Sequence, residues 1–222
     1  MNDHSEHQET RDYAAALAHR LEPVRRIPPL RWIAAALGLL ALFVAGLATA
    51  LLGLRGDAMP DLPFVGVVAG LLVFGVGGLV SALGASIPGG EALSRVGLAG
   101  VALAAVLWSA ALLAALVGDA RIGPFDSAWL GATFSCLGMA TGIGFIPAVA
   151  LLAFVLGAFP YRPALAGGLG AAAMVAFGSG AVHLTCANNE LFHASIGHVI
   201  GPLATGALVG AFLVIARQRR PS

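Results

Sequence analysis

Lysine is absent and charge of either sign is scarce. All twelve cationic side chains among the 222 residues are arginine, and charged residues make up 10% of the chain, against roughly 25% in a soluble domain. Without lysine there is no Schiff base, no lysine nucleophile and no P-loop. Two cysteines are too few for a disulfide framework or a four-thiolate zinc site. A net charge of +1 gives no general electrostatic case for nucleic acid, and thirty glycines without a Gly-X-Y period are not collagen.

What is present in excess is apolar surface: 59% of residues are hydrophobic and the mean hydropathy is +0.90. A membrane-spanning helix needs about 20 mostly apolar residues. Six charge-free windows meet that need: Trp32 to Leu54, Phe64 to Ala85, Val96 to Val117, Trp129 to Phe159, Ala164 to Cys186 and Ile196 to Ala216. The expected fold is an all-α membrane protein, a bundle of six transmembrane helices with a short amphipathic cytoplasmic N-terminal helix. The expected divisions are a tail over 1–31, a membrane domain over 32–216 and a second tail over 217–222. The fourth window, at 31 residues, exceeds one span and is too short for two, so its outer end is open. Pro147 inside it removes one backbone donor and predicts a kink. The pairs Gly66/Gly70, Gly138/Gly142, Gly197/Gly201 and Gly206/Gly210 are spaced to let helices pack closely in lipid.

Arginine placement predicts orientation. With the amino end inside, the inner side carries Arg11, Arg20, Arg25, Arg26, Arg31, Arg95, Arg162, Arg217, Arg219 and Arg220, against Arg55 and Arg121 outside. Both termini are then cytoplasmic. Ala48-Thr49-Ala50 has the look of a signal-peptide cleavage site, but the segment before the first window is too long and acidic for a signal.

No window contains Asp, Glu, Lys or Arg, the residues that ion carriers retain at membrane depth. The polar groups cluster instead at one place: His183, Cys186, Asn188, Asn189, Glu190, His193 and His198. With the fourth helix running inward and the fifth outward, Cys136 falls near Cys186 at the outer interface if the fourth span is anchored at its inner end by Tyr161 and Arg162, and about 10 Å deeper if it is anchored at Trp129. Two readings stand side by side. Either the thiols form a redox or sensor pair, bridgeable if their Cα atoms lie closer than about 7 Å, or they are small buried hydrophobes. His183, Cys186, His193 and His198 form a candidate site for a soft or borderline ion such as zinc, copper or cadmium, although their spacing fits no standard zinc motif.

In the amino segment Tyr13, Leu17 and Leu21 recur every four residues, with Thr10 as cap and Pro23 as stop. This stripe suits either a lipid surface, where each nearby arginine gains about 1 kcal/mol, or the groove of a partner protein. The acidic start, with Asp3, Glu6, Glu9 and Asp12, fits protein contact better.

Four stretches resemble the NrsF-type membrane anti-sigma factors: Leu21-Glu22-Pro23-Val24-Arg25-Arg26-Ile27-Pro28-Pro29, Ser135-Cys136-Leu137, Arg162-Pro163-Ala164-Leu165-Ala166-Gly167 and His183-Leu184-Thr185-Cys186. The resemblance implies a six-span inner-membrane protein. It implies a partner, an extracytoplasmic-function sigma factor held at the membrane until a stress signal arrives, and a characteristic cysteine pair at Cys136 and Cys186. It implies no catalysis, no resident cofactor and no direct contact with nucleic acid, the lipid bilayer being the other partner. On this reading Tyr13, Leu17 and Leu21 dock the sigma factor. The competing expectation is a small permease or transport subunit for a neutral solute. A membrane thiol oxidoreductase would want a CxxC pair or a quinone site, and the sequence displays neither.

Overall fold

In hydrocarbon a chain must satisfy its own backbone hydrogen bonds, so an isolated apolar window is forced into a helix. The computed structural model describes residues 28–55, 62–118, 126–157, 162–188 and 190–218. Among these residues there are six helices long and apolar enough to cross a membrane, and no strand. They are α1 (Leu30–Leu52), α2 (Leu62–Ala85), α3 (Glu91–Val117), α4 (Ser127–Gly157), α5 (Pro163–Thr185) and α6 (Leu191–Gln218). Each coincides with one of the six apolar windows, extended or trimmed by a few residues.

The chain divides into two units, Met1–Leu30 and Arg31–Ser222. Nearly all of the first unit, including Tyr13, Leu17 and Leu21 and the amphipathic helix expected there, lies outside the described residues, as do residues 219–222.

The long fourth window is one continuous helix of 31 residues, about 46 Å at 1.5 Å per residue. Its buried positions Trp129, Thr133, Cys136, Ala140, Gly144, Pro147, Leu151 and Val155 recur every three or four residues, which makes one stripe down a single face. Pro147 sits in that stripe, fully buried, and leaves the Ile143 carbonyl without its helical donor.

The stripe faces α5, the hub of the bundle. Of the apolar stretch of α5, 89% is buried inside the protein, against 11% for the peripheral α1. A helix buried all round needs small side chains if its neighbours are to pack closely, and α5 supplies glycine and alanine on every face. A Cβ added at Gly178 would collide with the Ala140 carbonyl of α4, and one at Gly144 would stand 2.6 Å from Val175 Cα. On the other side Gly168 and Gly206 hold α5 against α6, each within 2.8 Å of the other's carbonyl oxygen if given a Cβ. Gly206/Gly210 therefore acts as a packing pair. Gly138/Gly142 does not, because nothing lies within 4 Å of either. Helix α2 reverses into α3 through Gly89, whose φ of +78° suits glycine, and the Ser81 and Ser94 hydroxyls meet at 3.1 Å across that hairpin. Side chains such as Leu39, Phe43, Val106 and Phe212 are exposed on the outside, as a lipid-facing surface requires.

Gly178→Val is expected to destabilise the bundle by about 1–3 kcal/mol through overpacking, whereas Gly138→Ala, with open space around it, should be near neutral. Reversible unfolding in mixed micelles under increasing dodecyl sulfate reads both; equal stability of the two variants would disprove the tight α4–α5 seam.

Candidate functional site

The α4–α5 seam determines where the sulfurs fall. Cys136 lies on the buried stripe of α4, and Cys186 caps α5, its N–H donating to the Val182 carbonyl at 2.8 Å before the backbone turns extended. The two Sγ atoms stand 3.8 Å apart and both thiols are free. The two cysteines therefore meet, with Cys136 nine residues into α4, about 13 Å from its first residue at 1.5 Å per residue. A disulfide has an S–S distance of about 2.05 Å, so a bridge requires the sulfurs to approach further.

Beyond Cys186 the chain makes a tight turn. Asn188 Oδ1 accepts from the Glu190 N–H at 2.8 Å, and Asn188 Nδ2 donates to Glu190 Oε2 at 3.2 Å. Their side chains build the turn, and the Asn188 carbonyl accepts from Cys186 Sγ at 3.9 Å. The turn delivers α6 with His193 and His198 wholly buried. In an ordinary α-helix residues five apart diverge by about 140°. Here the turn that follows His193, Ser195–Ile200, is π-helical, a rare local widening whose hydrogen bonds join residues five apart and so reduce that divergence. The His193 and His198 rings accordingly meet edge to face, with centroids 5.5 Å apart.

Hydrogen bonds assign the tautomer of His193. Thr133 Oγ1 donates its one proton to the Trp129 carbonyl at 2.9 Å, so toward His193 Nδ1, 3.0 Å away, it can only accept. Nδ1 carries the proton, and Nε2 faces Cys186 Sγ at 3.3 Å. A neutral imidazole so held offers its Nε2 lone pair to a thiol proton or to a metal ion. The Cys186 thiol, on the first residue past α5, is drawn below the ordinary thiol range, chiefly by the hydrogen bond from Cys136. A thiol in that condition is the more nucleophilic and the more ready ligand of the pair.

The ligand atoms of Cys136, Cys186, His193 and His198 all lie within 4.8 Å of one another. Two thiolates and two imidazoles form a recognised zinc set, in which bond lengths of about 2.0–2.3 Å put the ligand atoms roughly 3.3–3.8 Å apart. A modest contraction would close the group around an ion. Of the sequence candidates, these four come together. His183 stands one ring further off, edge-on to His198 at 4.8 Å and stacked on Phe64 at 4.8 Å. Beyond Phe64 the Arg55 guanidinium lies 5.1 Å from the ring. Thr133 and Phe64 are the residues that sequence reasoning missed. Thr133 was accessible in principle, because it stands one turn before Cys136 on the same face; Phe64 was not, because it comes from a distant helix.

A family model described as NrsF, negative regulator of sigma F, matches residues 17–217. No curated protein and no solved structure matches the chain.

Removal of the hydroxyl in Thr133→Val frees His193 to rotate, and loss of such an orienting partner costs about 10–100-fold in metal affinity. Zinc titration of the reduced protein against a competing chelator should show that weakening, and an unchanged affinity would mean that Thr133 does not orient the site.

Proposed function

The chain belongs to the NrsF family, and from that membership as a negative regulator of a sigma factor we propose that it is an inner-membrane anti-sigma factor with both termini in the cytoplasm. Its amino tail, through Tyr13, Leu17 and Leu21, holds an extracytoplasmic-function sigma factor away from RNA polymerase. Oxidation of Cys136 and Cys186 to a disulfide, or capture of a soft metal ion with His193 and His198, releases it. Nothing is catalysed in this cycle. The observation that carries the reading is the 3.8 Å separation of two free sulfurs on different helices. The arginines support the sidedness: Arg31, Arg95, Arg162 and Arg217 stand at helix ends away from the sulfurs, and Arg55 alone of the described arginines stands on the sulfur side.

A signal of this kind works only if the bound or oxidised form favours one bundle arrangement over another. The site joins the start of α4, the end of α5 and the start of α6. Drawing its four ligand atoms together shifts these ends relative to one another. The π-helical turn is the compliant element, since its extra residue per turn lets α6 adjust register without breaking. The far ends of the same helices carry the change toward the cytoplasm.

Two experiments test this. Full-length Leu17→Asp/Leu21→Asp protein should retain at least tenfold less sigma factor on co-purification, as expected when two apolar anchors of a docking helix are made charged; undiminished recovery would remove the docking face. In cells, Cys136→Ser/Cys186→Ser should abolish induction of the sigma-dependent promoter by a thiol oxidant or by cadmium, and an induction equal to wild type would remove the sensor.

A further inference from the structure

At the end of the bundle away from the sulfurs, a hollow of about 230 Å³ lies between the end of α2, the start of α3 and the start of α5. Gly84, Glu91, Ser94, Arg95, Leu98 and Arg162 form most of its lining. Leu98 is 39% exposed, so the hollow borders the lipid-facing surface of α3.

Its charge is unbalanced. Arg95 and Arg162 occupy exposed positions, one on α3 and one immediately before α5, and Glu91 supplies the single carboxylate of the lining. Arg95 gives its Nε proton to the Glu91 carbonyl of its own helix at 3.4 Å and forms no ion pair among the described residues. The amino groups of that guanidinium are left to donate elsewhere. The Ser94 hydroxyl is engaged with Ser81 and adds little. Helix ends add more, because the first turn presents N–H groups without helical acceptors, equivalent to about half a positive charge. Neither α3 nor α5 has a side-chain cap at its start. Glu91 lies in the first turn of α3 and offsets that dipole, whereas the first turn of α5 contains no acidic residue. Two guanidiniums and the start of α5 therefore stand against one carboxylate already matched to α3, and the complementary ligand is an anion.

We propose that this hollow holds the phosphate of an anionic phospholipid headgroup, with Arg95 and Arg162 donating to its oxygens from two helices and the acyl chains leaving past Leu98 into the bilayer. Basic pockets between membrane helices at the polar boundary are suited to such headgroups, and the planar fork of a guanidinium matches phosphate oxygens. A soluble anion would satisfy the same donors, but the border with lipid at Leu98 favours one that the bilayer itself delivers. Helices α3 and α5 pack on α2 rather than on one another. A headgroup bound between their starts ties them together directly. Binding needs neither the thiols nor the amino tail, so it stands apart from the sensing reading.

The probe is phosphatidylglycerol added to the intact, delipidated protein in neutral micelles, with zwitterionic phosphatidylcholine as the comparison, read by native mass spectrometry. One phosphatidylglycerol per chain should be retained, at least about tenfold more tightly than phosphatidylcholine, as two arginines beside an anionic headgroup require. Arg95→Gln and Arg162→Gln should each weaken that adduct about fivefold, the worth of one arginine near a charged surface. Arg217→Gln removes a cation at the end of α6, outside the hollow, and should leave the adduct unchanged. Equal retention of the two lipids by the wild-type protein would overturn the assignment, and that comparison serves even if a variant fails to fold. So would an adduct undiminished in Arg95→Gln/Arg162→Gln, or a loss in Arg217→Gln as large as in Arg95→Gln, which would make the attraction a diffuse surface charge. Displacement of the lipid by an equal concentration of inorganic phosphate would also overturn it, by making the hollow a site for free anions.

Discussion

The close approach of α4 and α5 is the constraint on which the rest depends. In lipid there is little hydrophobic gain from pressing two helices together, so contact must come from van der Waals fit between backbones. Gly144, Gly178 and Ala140 provide that fit, with no room for a larger side chain at either glycine. Because the seam admits one register, the level of Cys136 relative to the end of α5 is determined, and the sulfurs meet. A looser interface of leucines would have tolerated several registers and left the thiols unpaired.

From the seam outward, each polar group near the sulfurs is held by a different kind of force. The backbone cap positions Cys186, a threonine committed to its own helix orients His193, and the π-helical turn aligns His198 with His193. His183 is packed against the Phe64 and His198 rings. This ordering gives the cluster one fully oriented nitrogen, on His193, and two rings whose nitrogens remain available. A site of that kind is pre-organised at its centre and adjustable at its edge.

The two ends of the bundle therefore differ in chemistry. One is rich in sulfur and imidazole and buried; the other carries the arginines of the hollow at the starts of α3 and α5. A regulator so built is exposed at one end to what reaches the sulfurs and at the other to the charge of the membrane surface.

Six helices, their approximate limits and the concentration of polar residues after the fifth were legible in the chain, because lipid rewards length and apolarity that can be counted residue by residue. The Cys136–Cys186 meeting was also within reach, since a short connection makes α4 and α5 neighbours. The ambiguous fourth window resolved into one long helix only in three dimensions, where one buried stripe runs along its whole length. The roles of Thr133 and Phe64, the open faces of Gly138 and Gly142 and the π-turn that joins His193 to His198 were decided by tertiary structure alone. Each depends on which side chain of one helix meets which of another, and that choice follows from helix rotation and crossing, which hydropathy does not encode.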